Sequence, residues 1–390
     1  PEPSATWTST PTATDTPEPS ATWTSTPTAT DTPELSATWT STPTATDTPQ
    51  PTTTSTATST ATITSTPTLT VSPTPTASPT PTASPTEQFC GTIASNTTWR
   101  DNVVHVVTCN STVAAGVTLT VEAGTIVKFS SSSSGLSVRG VLQISGAVDH
   151  PVYFTSLRDD SVGGDTNGDG AASIPAAGAW QSIYVDATGA NATIDHAVIR
   201  YAGYSSSTGG VTQTAGNLTV TNSTFTNDRY GVYASGVSPV ITSSQFISNT
   251  TYGIYVTSGG QTTVTPVLQN NNFSDNGTAI VLSNAYLTGD ALSGNTGNNG
   301  TGNQINGILL NSVTFTGTTT LAPSQGLPYV LNSPNLPTGQ TLNLQPGTVL
   351  KFTDASYLLA RGTLNVQGTS AAPVYFTSLR DDSVGGDTNG

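Results

Sequence analysis

The chain has 390 residues, of which 8% are charged and 34% apolar, and its 23 acidic and 9 basic side chains give a net charge of −14. This balance argues against nucleic acid and anionic membranes as partners, because no basic stripe is available to neutralise phosphates. No stretch of the sequence approaches the roughly 18 to 20 consecutive apolar residues that a membrane span requires. The composition points away from nucleic-acid-binding and membrane-spanning proteins.

The first 86 residues have a composition of their own. They contain 16 of the 26 prolines, separated mainly by Thr, Ser and Ala, and a 16-residue unit, PEPSATWTSTPTATDT, occupies residues 1–16, 17–32 and, with one change, 33–48. Such a segment cannot bury a core. We predict that residues 1–86 form a disordered, extended linker or stalk, and both an O-glycosylated stalk and an unmodified linker agree with this composition.

From residue 87 onward, short alternating apolar runs are separated by Gly, Asn and Ser, which is the spacing of β-strands. Four segments share an apolar residue followed five positions later by another: Ile194 and Ile199, Val220 and Phe225, Ile241 and Phe246, Leu268 and Phe273. Successive copies begin 26, 21 and 27 residues apart. Because no helix is available to cover a sheet, stacking of coils into an all-β solenoid is the simplest way to bury these side chains.

Several segments resemble secreted bacterial proteins with right-handed parallel β-helix repeats, of the pectate-lyase-like architecture. They are the NTTW segment Asn96–Trp99, the run Val117–Phe129, and the coils around Phe246 and Phe273. The resemblance covers residues 90–390 and implies a right-handed parallel β-helix. It implies little about activity, because this architecture hosts lyases, hydrolases, adhesins and inert stalks.

A longer duplication divides the second part of the chain. Gly124–Phe129 returns in similar form as Gly347–Phe352, and Pro151–Gly168 returns identically as Pro373–Gly390. We therefore predict a first β-helix block at residues 87–326 and the start of a second, truncated block at 327–390. The chain begins within one repeat and ends within another, so we expect it to be a piece of a longer protein.

The chain has two cysteines, Cys90 and Cys109, which are 19 positions apart. Two thiols are too few for a CxxC-type metal cluster. We expect a disulfide that closes the first coil, with two buried free thiols as the alternative. A disulfide agrees with a protein that works outside the cell or on its surface.

Catalytic machinery has weak support in the sequence. The carboxylates best placed for a lyase or glycosidase are Asp228 and Asp275, each just past the Phe of a coil. Their registers differ, however: Asp228 is three residues after Phe225, whereas Asp275 is two after Phe273. Successive strand residues face opposite ways, so we expect one of the two carboxylates to point away from any groove that the other lines.

The segment Asp165–Gly170 reads DTNGDG, which matches the opening of EF-hand-like calcium loops. Asp165, Asn167 and Asp169 would supply ligands, with support from Asp159 or Asp160 because position 12 is Ala176 rather than Glu. A surface loop without metal is the alternative. We expect Ca²⁺ as the only cofactor, bound weakly.

These observations favour an extracellular or cell-surface β-solenoid with a structural, adhesive or carbohydrate-binding role over a catalytic one. We expect a polysaccharide or cell-surface glycan as partner, and Tyr230, Tyr233, Tyr252 and Tyr255 are the candidates for contact with sugars; ordinary packing on a sheet face is the alternative for these tyrosines. A polysaccharide lyase or glycoside hydrolase of the same fold is the alternative function.

Overall fold

Parallel strands, wound three to a turn, make up the structure. The computed structural model describes residues 84–290, 292, 295–324 and 326–390. These residues contain no helix and form a right-handed parallel β-solenoid of about 11 turns, which confirms the predicted fold class. The predicted disordered segment lies outside the described residues up to position 83, and the first strand begins at Thr86.

The strands of the first turns are β1 (Thr86–Phe89), β2 (Thr92–Ile93), β3 (Thr97–Trp99), β4 (Val104–Val107), β5 (Asn110–Val113), β6 (Thr118–Glu122), β7 (Ile126–Phe129), β8 (Gly135–Val138), β9 (Val141–Ser145), β10 (Val152–Ser156), β11 (Ile183–Val185) and β12 (Asn191–Asp195). The middle turns contain β13 (Ala197–Arg200), β14 (Val211–Gln213), β15 (Asn217–Thr221), β16 (Thr224–Thr226), β17 (Tyr230–Ser235), β18 (Val240–Thr242), β19 (Gln245–Ile247), β20 (Tyr252–Thr257), β21 (Val267–Gln269), β22 (Asn272–Ser274), β23 (Thr278–Ser283), β24 (Tyr286–Gly289) and β25 (Asn299–Thr301). The last turns contain β26 (Ile305–Asn311), β27 (Thr314–Leu321), β28 (Tyr329–Asn332), β29 (Asn335–Leu336), β30 (Thr341–Leu344), β31 (Val349–Phe352), β32 (Leu359–Ala360), β33 (Thr363–Val366) and β34 (Tyr375–Ser378).

From β1 to β23 every third strand joins the same sheet, so the solenoid has three faces. Sheet A has nine strands and runs from β1 through β4 and β7 to β25. Sheet B has twelve strands and runs from β2 to β34 along the whole described solenoid. Sheet C has seven strands, from β3 to β21, and sheet D has six, centred on β27, in the last turns.

The repeated apolar pairs stack in register, as the sequence predicted. Ile194 pairs with Val220, and Ile199 pairs with Phe225 on the neighbouring sheet. The rings of Phe225 and Phe246 stack with centroids 4.9 Å apart, and those of Phe246 and Phe273 lie 5.0 Å apart. Parallel pairing without slippage places equivalent residues directly above one another, which is why a weak repeat becomes a continuous core.

One corner of the solenoid uses the same backbone conformation in four successive turns. His196, Asn222, Ser243 and Asn270 all have left-handed φ values between 49° and 55°. Short polar side chains tolerate this conformation better than bulky ones. His196 is therefore one of a series of polar turn residues, the interpretation that its position in the repeat favours.

The N-terminal end of the described solenoid contains the two cysteines. A disulfide joins Cys90 and Cys109, whose Cα atoms are 5.2 Å apart. It links the turn after β1 to the turn before β5. Nearby, the ring of Trp99 stacks on the His105 imidazole, with centroids 5.0 Å apart.

The duplicated sequence continues the same stack rather than starting a separate one. Strands on both sides of residue 327 pair within sheet B, β26 with β28 and β28 with β31. The copy is nevertheless displaced by one face: β7 and β10 lie in sheet A, whereas their copies β31 and β34 lie in sheet B. The loop that follows β10 and its copy after β34 consequently belong to different faces.

Candidate functional site

The first candidate site is a cluster of four tyrosines on sheet B, here called the tyrosine ladder: Tyr230, Tyr233, Tyr252 and Tyr255. In-register pairing of β17 with β20 places Tyr230 beside Tyr252 and Tyr233 beside Tyr255. The rings of Tyr233 and Tyr255 stack with centroids 5.2 Å apart, and the other ring contacts in the ladder are between 5.4 and 5.7 Å. Val232 alternates with Tyr233 and is buried in the core, so the ladder lies on the outer surface.

The tyrosine hydroxyls are neutral hydrogen-bonding groups. Burial raises the pKa of Tyr230, Tyr233 and Tyr252, so these phenols stay protonated at neutral pH. The Tyr230 hydroxyl donates to the carbonyl of Ser206 at 3.1 Å, which fixes one end of the ladder against a neighbouring turn. Each ring is half-buried, so one part packs on its neighbours and the rest is accessible to a ligand.

A cleft of about 390 Å³ lies on the same sheet, separated from the ladder by the turn that contains Ser205 to Thr208. Residues that line it include Asn110, Arg139, Gln181, Tyr184, Asp186 and Ser207. Tyr184 pairs with Thr212 on the adjacent strand, and Thr212 pairs with Tyr233 on the strand after that. The side chain of Tyr184 therefore faces the same way as that of Tyr233. Arg139 pairs with Asp186 at 3.3 Å on the rim of the cleft. Sequence reasoning missed Tyr184, although its position between Ile183 and Val185 shows the same alternation as Tyr233.

The second candidate site is the acidic loop, residues 158–173, which follows β10. The carboxylate of Asp165 accepts hydrogen bonds from the backbone N–H groups of Gly168 (2.7 Å), Asp169 (3.2 Å) and Gly170 (2.8 Å). The bond from Gly170, together with the other two, lowers the pKa of Asp165. The loop therefore closes tightly around this one carboxylate.

Three carboxylates of the acidic loop come together. Oxygens of Asp160, Asp165 and Asp169 all lie within 4.8 Å of one another. Burial raises the pKa of Asp160, and the charge of Asp165 adds to this effect. The Asn167 amide donates to Asp169 at 2.9 Å, while its Oδ1 and the Oδ1 of Asp160 are buried without a hydrogen-bond partner. The predicted ligands Asp165, Asn167 and Asp169 are therefore neighbours, and Asp160 joins them.

Asp159, which was expected to support the metal site, is engaged elsewhere. Its carboxylate pairs with Arg200 at 2.5 Å and accepts hydrogen bonds from the hydroxyls of Thr155 (2.5 Å) and Ser161 (2.7 Å). It is buried against β10 and β13. The reason is long-range, since Arg200 is 41 positions away along the chain and reaches Asp159 only through the stacking of β13 on β10.

A buried lysine holds the acidic loop. Lys128 Nζ donates to the Gly164 carbonyl at 2.8 Å and to the Thr166 hydroxyl at 2.7 Å. Burial lowers the pKa of Lys128, whereas the charges of neighbouring loop aspartates act in the opposite direction. The only other lysine of the chain, Lys351, makes the equivalent bond to Gly386 at 2.6 Å in the second copy. Sequence reasoning missed this contact, although the recurrence of lysine at one repeat position was a usable signal.

The carboxylates considered for catalysis do not share a groove. Asp228 is fully buried inside the solenoid, whereas Asp275 is exposed in a turn with φ of 59°. The difference in register therefore places one carboxylate inside the solenoid and the other on its surface. Asp195 and His196 do form a side-chain hydrogen bond, at 2.9 Å. Asp195 also accepts hydrogen bonds from the Thr221 hydroxyl at 2.6 Å and from the Asn222 amide at 2.9 Å.

Comparison with known proteins supports the architecture. Residues 177–320 match the family model described as right handed beta helix region. This segment contains the tyrosine ladder and most of the stacked phenylalanines. No curated protein and no solved structure matches the chain. The described residues also contain no helix of the length and apolar character needed to cross a membrane.

Proposed function

We propose that this protein is a non-catalytic, extracellular or cell-surface β-solenoid that binds carbohydrate through the tyrosine ladder. The observation that carries the proposal is the in-register stacking of four half-buried tyrosines on an outer face, with ring centroids 5.2 to 5.7 Å apart. The disulfide between Cys90 and Cys109 and the Thr/Pro-rich N-terminal composition support a location outside the cell.

The chemistry of the ladder suits sugars. A sugar ring has an apolar face of C–H groups and a periphery of hydroxyls, and the ladder offers aromatic faces beside protonated phenols. Because the strands stack along the solenoid axis, aromatic side chains recur at the spacing of the turns. A polysaccharide lying along this axis would meet Tyr233 and Tyr255 in succession, with Tyr184 further along the same face.

The test is affinity electrophoresis of the full chain in gels that contain polygalacturonate, alginate, xyloglucan or mixed-linkage β-glucan. We expect retardation by at least one of these polymers. A Tyr233→Ala, Tyr255→Ala double variant should bind about tenfold more weakly or worse, the effect of losing about 1.4 kcal/mol of contact. Tyr357→Ala is the matched control, because Tyr357 is an exposed tyrosine distant from the ladder in sequence. Absence of retardation in every gel, or equal retardation of the double variant, would overturn the proposal.

We further propose that the acidic loop binds Ca²⁺ to stabilise its fold. Oxygens on opposite sides of a bound Ca²⁺ are about 4.6 to 5.2 Å apart, since each Ca–O distance is about 2.3 to 2.6 Å. The three carboxylates, which lie within 4.8 Å of one another, fit around one such ion. The unpartnered Oδ1 atoms of Asp160 and Asn167 are suitable neutral or charged oxygen ligands. The ion would neutralise mutual repulsion among Asp160, Asp165 and Asp169.

Calorimetric titration of the full chain with CaCl₂ tests this site. We expect binding in the range of about 10⁻⁴ to 10⁻³ M that is typical of extracellular modules, together with a rise in melting temperature. An Asp165→Asn, Asp169→Asn double variant should lose both effects, whereas Asp149→Asn, at an exposed position outside the loop, should retain them. If the wild type shows neither heat nor thermal shift at millimolar Ca²⁺, the proposal of a calcium site is overturned.

A further inference from the structure

A second, internal ladder lies at the corner between sheets A and B, here called the asparagine ladder: Asn249, Asn276 and Asn303. The side-chain amide of Asn249 donates to Asn276 Oδ1 at 2.8 Å, and that of Asn276 donates to Asn303 Oδ1 at 2.7 Å. The same amides donate to the carbonyls of Phe225 (3.2 Å) and Phe246 (2.9 Å) in the preceding turns. Every amide nitrogen therefore lies between two acceptors.

Asp228 occupies the position of the ladder one turn before Asn249. Its Oδ1 accepts the backbone N–H of Ala202 at 2.7 Å, just as Asn249 Oδ1 accepts the backbone N–H of Asp228 at 3.1 Å. Its Oδ2 consequently stands where the other members have a donating nitrogen. This atom is buried, has no hydrogen-bond partner, and lies beside Gly210 and the Ile199 side chain.

The equivalent positions in the next turn indicate that Asp228 Oδ2 faces hydrogen-bond acceptors. The amide of Asn249 donates to the carbonyl of Phe225, and Ile199 pairs with Phe225 one turn earlier in sheet A. The carbonyl of Ile199 is therefore the equivalent acceptor for Asp228. The second acceptor is Asn249 Oδ1, which already accepts the backbone N–H of Asp228 and corresponds to the Asn276 oxygen that the Asn249 amide uses. An ionised carboxylate would therefore place negative charge against two oxygens, whereas a carboxylic acid could donate to one of them.

Charged neighbours do not compensate Asp228 either. Arg200 pairs with Asp159 at 2.5 Å, and none of the ion pairs among the described residues includes Asp228. The pKa of the nearby Tyr201 is raised mainly by burial, and the charge of Asp228 contributes to the same increase. Burial likewise raises the pKa of Asp228 well above its usual value, while the hydrogen bond from Ala202 opposes this only in part.

We propose that Asp228 carries a proton in the folded protein and donates it from Oδ2 within the ladder, so that it acts as a substitute for asparagine. Above the pH range in which an ordinary carboxyl group titrates, the unfolded chain has released this proton whereas the folded chain still binds it. Because the unfolded state holds fewer protons, stability falls as the pH rises from this range toward the raised pKa of the folded state. Asp228 makes the solenoid core more stable in mildly acidic than in alkaline surroundings.

The test compares the melting temperature of the wild-type full chain with that of Asp228→Asn from about pH 4 to about pH 9. Asparagine supplies the missing donor, so the variant should melt higher than the wild type, and the gain should grow with pH and vanish near the acidic end. Asp275→Asn, which removes an exposed carboxylate from the equivalent corner, should show no such pH-dependent gain.

Infrared difference spectra between wild type and Asp228→Asn give an independent readout. At neutral pH we expect the wild type to show the C=O stretch of a protonated carboxylic acid, and the variant to lack it. A gain in melting temperature that is independent of pH, a loss of stability in Asp228→Asn, or the absence of the protonated carboxyl band would each overturn the proposal.

Discussion

Replacement of Asn276 by alanine should be among the most damaging single changes in this solenoid. Its Oδ1 accepts two hydrogen bonds from Asn249, from the backbone N–H at 3.0 Å and from the amide at 2.8 Å. Its own amide donates to Phe246 at 2.9 Å and to Asn303 at 2.7 Å. The side chain is 2% exposed, so water cannot replace these partners.

The size of the loss follows from these four bonds. Each buried hydrogen bond contributes about 1 kcal/mol net, and a buried donor left without any partner costs about 1 to 3 kcal/mol. Asn249 keeps a partner for its amide, Phe225, but its backbone N–H keeps none. Three bonds at about 1 kcal/mol each and one orphaned N–H at about 1 to 3 kcal/mol lead us to expect that Asn276→Ala lowers the free energy of unfolding by about 4 to 6 kcal/mol. The damage should be greatest in the adjoining turns, because each turn contacts only its neighbours.

Urea denaturation of the full chain, followed by the β-sheet band in circular dichroism, measures this loss as a shift in midpoint. The control is Asn272→Ala, which removes an exposed asparagine four positions away. It should change the midpoint little, since surface substitutions usually cost less than about 0.5 kcal/mol. A loss below about 1 kcal/mol in Asn276→Ala, or an equal loss in the control, would refute the view that the ladder stabilises the core.

Two further predictions concern the acidic loop and catalysis. Lys128→Met removes two hydrogen bonds from a charged donor, each of which contributes about 1.5 to 3 kcal/mol, so trypsin should cleave after Arg158 at least about tenfold faster. Cleavage after Arg380, in the copy of the loop that Lys351 holds, is the internal control. Equal acceleration at both sites would show that Lys128 does not hold the loop. The full chain should release no unsaturated or reducing sugars from pectin or alginate, because Asp228 and Asp275 do not converge; turnover that either Asp→Asn variant abolishes would support the lyase or hydrolase alternative instead.

Local patterns account for the parts of the molecule that were predicted correctly. The apolar pairs that recur every 21 to 27 residues predict stacked coils, and Val220 and Ile241 do pair in register. In a parallel solenoid each residue contacts its own equivalent in the next turn, so the sequence repeat and the contact pattern coincide. The same register pairs Tyr233 with Tyr255 in the structure, where the acidic loop also closes on Asp165.

The tertiary structure decided what depends on contacts between residues that are not equivalent. Lys128 donates a hydrogen bond to the carbonyl of Gly164, 36 positions away along the chain. Asp159 forms an ion pair with Arg200 instead of joining the other carboxylates of the acidic loop. The duplicated strands lie in sheet B rather than sheet A, because the period of three strands breaks where β26 pairs with β28 and β27 pairs with both β29 and β30. The sequence repeat does not show this break.

The two aspartates illustrate the division most clearly. The sequence alone established that Asp228 and Asp275 differ by one residue in register, and hence that they face different ways. It also aligned Asp228 with Asn249 and Asn276, but it could not say that Asp228 would be the buried one or that its Oδ2 would lack a hydrogen-bond partner. That outcome depends on the amides and carbonyls of the neighbouring turns, because a buried side chain is selected by the partners around it and these are assembled only when the solenoid is complete.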